Sequence, residues 1–176
     1  MFIWGWIYWA SGFASGTIID RPADDAVAQR ALTKAFQESG TYFVPGDMDD
    51  EEAWNKRREA GPLALVFYQK EGAPAMQPMI FTQGFVHYFL TCLLIGVLMR
   101  MVLSSLASYG DKVKFTTLAG VAASFFTNLS DAIWMTAPLD YQIFVGIYDI
   151  TVWVIAGLVL GKFIGRDKPA APSQAA

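Results

Sequence analysis

Apolar residues in this chain are gathered into blocks rather than spaced at a helix or strand period, and charged residues fall almost wholly between the blocks. Residues 1–19 carry no charged side chain; 79–106 is broken only by Arg100, 115–137 only by Asp131, and 141–165 by Asp149 and Lys162. At ~1.5 Å per residue, about 20 residues of helix cross a hydrocarbon core of ~30 Å. Each block is long enough. The pattern predicts four transmembrane helices, the last two joined only by Pro138, Leu139 and Asp140 and therefore antiparallel neighbours.

The first block places Trp4, Trp6, Tyr8 and Trp9 in its opening half, as expected of an aromatic belt at the headgroups. Ala14-Ser15-Gly16 looks like the small-residue site of a cleaved secretory signal, but no basic stretch precedes it, so a retained helix is predicted. Gly12 and Gly16 then give that helix a face on which another helix can approach closely.

Residues 20–78 break the pattern, with acids outnumbering bases and short amphipathic stretches. Ala28, Leu32, Ala35 and Phe36 at helical spacing, stopped by Gly40, predict a helix, and Thr41–Val44 before Pro45-Gly46 predicts a strand and turn. A second helix is marked by a capping box of Asp49 and Glu52, with Asp50 and Glu51 in its first turn. Lys56, Arg57 and Arg58 lie near its end, and Gly61-Pro62 stops it. Leu63–Tyr68 reads as a second strand pairing with the first. This α-β-α-β cap is too small to be stable alone without staples, so it is expected to lean on the membrane helices or on a partner.

Outside the cap, the basic residues are Arg100, Lys112, Lys114, Lys162, Arg166 and Lys168. The positive-inside rule assigns the 107–114 loop and the C-terminus to the cytoplasm, and the cap and the Pro138 turn to the opposite side. The expected architecture is a mainly α membrane fold: a bundle of four transmembrane helices with a small extracytoplasmic α/β cap between helices 1 and 2. Both termini are then cytoplasmic and the cap periplasmic, in a cell inner membrane. Residues 166–176, rich in Ala and Pro, are expected to be a disordered tail.

Composition removes several functions. An apolar content of 54% suits a membrane protein, and a net charge of −3 with no basic stripe argues against nucleic acid as a partner. Cys92 is the only cysteine, which excludes an intrachain disulfide, a zinc ribbon and a CxxC pair. There is no GxSxG elbow, phosphate loop or HExxH, and the acid run Asp47–Glu52 is explained by helix capping rather than calcium binding. No catalytic residue, metal site or cofactor is predicted, and His87 alone lacks a second axial ligand for haem.

Ionisable groups inside the blocks carry what chemistry there is, because an unpaired charge in hydrocarbon costs several kcal/mol. Asp131 and Asp149 lie about 9 and 12 Å below the Pro138 turn, Asn128 about 13 Å below it, and His87 about 12 Å below the outer surface. His87, Asn128, Asp131 and Asp149 are therefore expected in one polar layer of the outer leaflet. Such a layer is either interhelical glue or a site that handles a proton or a ligand, with glue the commoner role. Gly157, Gly161 and Gly165 recur every four residues on the last helix and open a strip for close packing, inside the bundle or against another chain.

The run Glu38-Ser39-Gly40-Thr41-Tyr42-Phe43-Val44-Pro45-Gly46, followed by Ala60-Gly61-Pro62 before a strand, resembles a group of small bacterial inner-membrane proteins. They share the plan of a Trp-rich first span, an external cap and three closing spans. The group has no assigned activity, so the resemblance implies an architecture and no catalytic residues. The function expected is that of a non-enzymatic accessory or scaffold protein in the lipid bilayer, packing against a membrane-protein partner or a second copy. The alternative is a small proton-coupled transporter or ligand-binding membrane protein that uses the His/Asp layer; an intramembrane enzyme would need a water-filled pocket there.

Overall fold

The computed structural model describes residues 1–10, 18–74 and 77–165. They form a mainly helical protein with one small two-stranded sheet. The order is α1 (Phe2–Ala10), α2 (Asp25–Ala35), β1 (Gly40–Val44), α3 (Glu51–Ala60), β2 (Ala64–Tyr68), α4 (Pro78–Met101), α5 (Tyr109–Ser124), α6 (Ser130–Trp134) and α7 (Leu139–Phe163). A 3-10 turn, Leu103–Ser105, follows α4, and one π-helical turn, Phe125–Leu129, joins α5 to α6. Among the described residues, α1 is the helical part of the first apolar block, and the Gly12 and Gly16 face and the 166–176 tail lie outside the described residues.

Helices α4 and α7 are each long and apolar enough to cross a membrane. Helix α5, the π turn and α6 follow without a break from Tyr109 to Trp134. This third rod is about 38 Å long by the usual helical rise.

The rod starts earlier than the charge pattern predicts. Ser108 and Asp111 make a reciprocal capping box, so Lys112 and Lys114 belong to a helix and not to a loop. The Ser108 hydroxyl and backbone N–H both donate to Asp111 and hold its carboxyl below the usual carboxylate range. Lys112 Nζ donates to the Ile164 carbonyl at 2.7 Å, which supplies one of the orphan acceptors at the end of α7.

Packing of α5 on α7 forms the centre of the bundle. A Cβ at Gly120 would lie 2.0 Å from Trp153 Cγ, so the indole rests on bare backbone. A Cβ at Gly157 would meet Thr116 and Val113 at 3.2 Å, and one at Gly161 would meet the Tyr109 ring at 3.1 Å. Two of the three glycines in the C-terminal strip thus face α5 of the same chain, while Gly165 has nothing within 4 Å. Thr116 is wholly buried at this seam, its hydroxyl donating back to the Lys112 carbonyl. Small residues let the backbones approach, which is how helices associate where lipid supplies no hydrophobic drive.

Helix α1 docks on α7 through the aromatic residues that the sequence suggests as a headgroup belt. Trp4 and Tyr8, one turn apart, donate to Thr151 Oγ1 and the Phe144 carbonyl, each at 2.9 Å. Trp9 meets Phe144 and Tyr148 edge to face. Trp6 falls on the opposite face and is exposed. A helical period sends residues 4 and 8 inward together.

In the cap, β1 and β2 pair antiparallel with Gly40 opposite Tyr68 and Val44 opposite Ala64. Helix α3 is capped by Asp50, whose Oδ1 accepts from Ala53 N at 3.0 Å, one residue later than the expected Asp49 box. Ala53 then occupies the third helical position, so no glutamate can reciprocate, and the Asp49 N–H bonds Asp47 instead. Gly61, at φ +65, ends the helix with a backbone conformation that suits glycine. The Phe36 ring stacks on Tyr42 at 4.3 Å, and on the other face the Arg58 guanidinium sits over Phe43 and Trp54 at 5.9 and 5.4 Å. Phe36 is the only buried residue among the described cap residues. Neither cap helix buries a residue, and no cap element packs closely on α1, α4, α5 or α7.

Candidate functional site: a polar cleft between the rods

A π turn closes its hydrogen bonds one residue further along than an α-helix, so it shifts the faces of the helix on either side of it. Here Thr127 relieves the widened backbone by donating its hydroxyl to the Ala123 carbonyl at 3.0 Å. Asn128 Nδ2 donates both to Ser124 Oγ and, across to α7, to Asp149 Oδ2, each at 2.9 Å. Gly146, one turn before Asp149, lies against this bridge: a Cβ there would be in ordinary contact with Ser124 Oγ and Asn128 Nδ2, at 3.5 and 3.6 Å.

Asp149 and His87 face the same cleft, of about 280 Å³, with Tyr88, Thr91, Thr127 and Trp153 also on its wall. The Tyr88 and Tyr148 hydroxyls hydrogen-bond to each other and tie α4 to α7 beside it. The His87 side chain is exposed at the rim, its ring 5.0 Å from that of Tyr88, and makes no hydrogen bond to any described residue. The Thr91 hydroxyl donates to the His87 carbonyl at 2.9 Å.

Asp131 does not join this group. It is exposed and does not line the cleft. On a regular helix, Asn128 and Asp131 would share a face; here Asn128 lies within the π turn, which takes more residues per revolution, and Asp131 follows it in α6. A second groove of about 240 Å³, almost wholly apolar, lies on the other side of the Ser124–Asn128 bridge and is lined by Gln142, which is buried, and Gly146. The polar bridge is therefore a partition between two recesses.

Ser124, Thr127, Tyr88, Tyr148 and Trp153 escape a reading of the sequence that looks for ionisable groups. Their signals are weak but present: Ser124 lies four residues before Asn128, and each tyrosine adjoins an ionisable residue, Tyr88 after His87 and Tyr148 before Asp149.

The hydrogen-bonding inventory defines what the cleft can do. The Thr91 and Thr127 protons are engaged by backbone carbonyls, which leaves their oxygens as acceptors. Asp149 keeps Oδ1 without a hydrogen bond to any described residue, and His87, the Trp153 indole and Met1 bring N–H donors to the wall. No group of three or more His, Cys, Asp or Glu that would hold a metal ion occurs among the described residues. Comparisons of the chain with family models, with curated proteins and with solved structures found no match.

Proposed function

We propose that this protein is a non-enzymatic, multi-pass accessory or scaffold protein of a bacterial inner membrane, and that its cap docks on a partner membrane protein or on a second copy. The reading places four spans in the lipid, both termini in the cytoplasm and the cap in the periplasm, as in the small membrane proteins that the chain resembles.

The observation that carries it is the state of the cap. Its sheet buries one ring, its helices bury nothing, and it leaves Phe67 78% exposed on the sheet face that Trp54 and Arg58 cover only in part. A domain of this size lacks the core to stand alone, and the rods do not supply one. A surface that the rods leave uncovered is what a docking partner would bury.

The test is site-directed crosslinking in intact membranes, from Phe67→Cys in a Cys92→Ala background. A discrete higher-mass adduct, absent when Cys is placed instead at the lipid-facing Phe126, is expected. Monomer alone under every crosslinker length would overturn the proposal.

A second reading is favoured by the bridge from Asn128 to Asp149: a carboxylate held in a cleft opposite a histidine suits a proton-coupled or ligand-binding membrane protein. Under it, Asp149→Asn abolishes proton flux into proteoliposomes of the purified protein while leaving its Tm within reach of wild type. Flux unchanged by the substitution would remove that reading.

A further inference from the structure

We infer that the groove between α4 and α7, at the end of the bundle that carries the basic residues, seats an anionic phospholipid, with its phosphate on Arg100 and one acyl chain along the groove. The inference rests on the membrane reading proposed above and is independent of the polar cleft.

The groove has two parts of different chemistry. Phe89, Leu93 and Val97 of α4 and Leu160 of α7 line its length, with Ile164 and Arg100 at its mouth, in a volume of about 350 Å³. Phe89, Leu93 and Val97 are each half exposed, so no described element covers them. From Phe89 to Arg100 the groove runs about 16 Å by the usual helical rise, close to half of a ~30 Å hydrocarbon core. That is the depth of one leaflet. A single acyl chain therefore fits between the mouth and the midplane. Gly96 keeps the groove open: a Cβ there would already touch Ile164 Cδ1 at 3.4 Å, and a larger side chain would fill the space.

Charge selects the headgroup. Arg100 lies in the last turn of α4, Lys112 and Lys114 near the start of α5, and Lys162 in the last turn of α7. The Lys112 bond to the Ile164 carbonyl, at 2.7 Å, shows that these helix ends lie together and puts a second cation beside the mouth. Asp111, the one acid at these ends among the described residues, is engaged by Ser108. The carbonyl ends of α4 and α7 add only about half a negative charge each. The four cations leave this end positive.

Together the two parts define the ligand. A guanidinium presents five N–H donors in a fork that matches phosphate oxygens, and the Lys112 ammonium has donors beyond the one given to Ile164. A soluble anion would leave the apolar length empty. A choline lipid would bring its own cation to a cationic mouth. A phosphodiester joined to acyl chains, with no cation of its own, satisfies both parts, as in other basic pockets between membrane helices.

The experiment uses the full chain in maltoside micelles, titrated with phosphatidylglycerol or with phosphatidylcholine of the same acyl chains. Bound lipid is counted by native mass spectrometry, and Tm is followed in parallel. One phosphatidylglycerol should bind about tenfold or more tighter than phosphatidylcholine and raise the Tm. Arg100→Gln should reduce that preference to about twofold or less. Gly96→Leu, which fills the groove without touching a charge, should weaken phosphatidylglycerol several-fold. Lys114→Gln removes the same charge at the same end but outside the groove, and should keep the preference within about twofold of wild type. Arg100 and Lys114 are both exposed, so these two variants should fold with a lipid-free Tm near that of wild type. Equal losses in Arg100→Gln and Lys114→Gln would show diffuse attraction to a charged surface and overturn the inference. A chain that needs detergent yet prefers neither lipid would also overturn it and leave the membrane reading standing, whereas a chain that stays in solution without detergent would overturn both.

Discussion

The cap and the α5–α7 pair are built by opposite means. Between the two rods, Gly120 leaves no room for a methyl group beside Trp153, and a Cβ at Gly157 or Gly161 would press on α5 at 3.2 and 3.1 Å. In the cap, two charged helices accompany a two-stranded sheet, Phe36 after α2 is the only buried residue among the described ones, and the ion pairs, Lys56–Glu52, Arg57–Asp47 and Lys70–Glu38, join largely exposed groups. Exposed pairs of this kind contribute little, ~0–1 kcal/mol each. The rod pair therefore carries its own specificity, whereas the cap is only as stable as one aromatic cluster and whatever covers it.

The sharpest way to break the contrast is at Gly120. Gly120→Leu puts a branched side chain where Trp153 already sits and should cost about 3 kcal/mol or more, so that little folded protein survives extraction. A Tm within a degree or two of wild type would show that the seam is looser than the contacts imply.

Phe36→Ala should act on the cap alone. Removing a buried phenylalanine costs about 3 kcal/mol, comparable with the whole stability of so small a unit. Hydrogen exchange should show β1 and β2 losing protection while α4, α5 and α7 keep theirs. Loss of protection in the rods as well would mean that the two regions support each other.

Lys112→Met comes next. It keeps the stem but removes the ammonium that reaches the Ile164 carbonyl, and the end of α7 should fray by about 1 kcal/mol, read as faster exchange there.

The smallest effect is acid-dependent. Since the Asp111 carboxyl is held below its ordinary value by bonds from Ser108, its contribution is present above the unfolded-state pKa and is lost as pH falls through the lower folded value. The first turn of α5 should then lose protection in acid, relative to the intrinsic exchange rate at each pH, and Ser108→Ala should lack that protection at every pH.

The mainly helical make-up, the small sheet and two helices long enough to span are legible in the chain because they depend on block length and turn residues alone. The starts of α4 and α7, and both strands, fall within a residue or two of positions marked by Pro78, Pro138, Gly40 and Tyr68, whereas α4 ends at Met101, short of the expected 106. The beginning of α5 is not legible, because Lys112 and Lys114 suggest a loop and the Ser108–Asp111 box is short. Nor is the Asp50 cap, since every acid from Asp47 to Glu52 is a candidate until the backbone chooses one. The site is the harder case. Depth along a helix can be counted, which brings His87 and Asp149 to one level; rotation cannot be counted past a π turn, which is why Asp131 belongs to the layer by depth but not by direction. The contact of Trp153 with Gly120 joins residues far apart in the chain and leaves no periodic trace.

The account as a whole requires the cap and the start of α5 to lie on opposite faces of a membrane. The direct measurement is labelling of single cysteines in intact cells with a membrane-impermeant maleimide, in a Cys92→Ala background. Asp50→Cys should react from outside, and Lys114→Cys only after the inner membrane is opened. Labelling of both from the same side would contradict it.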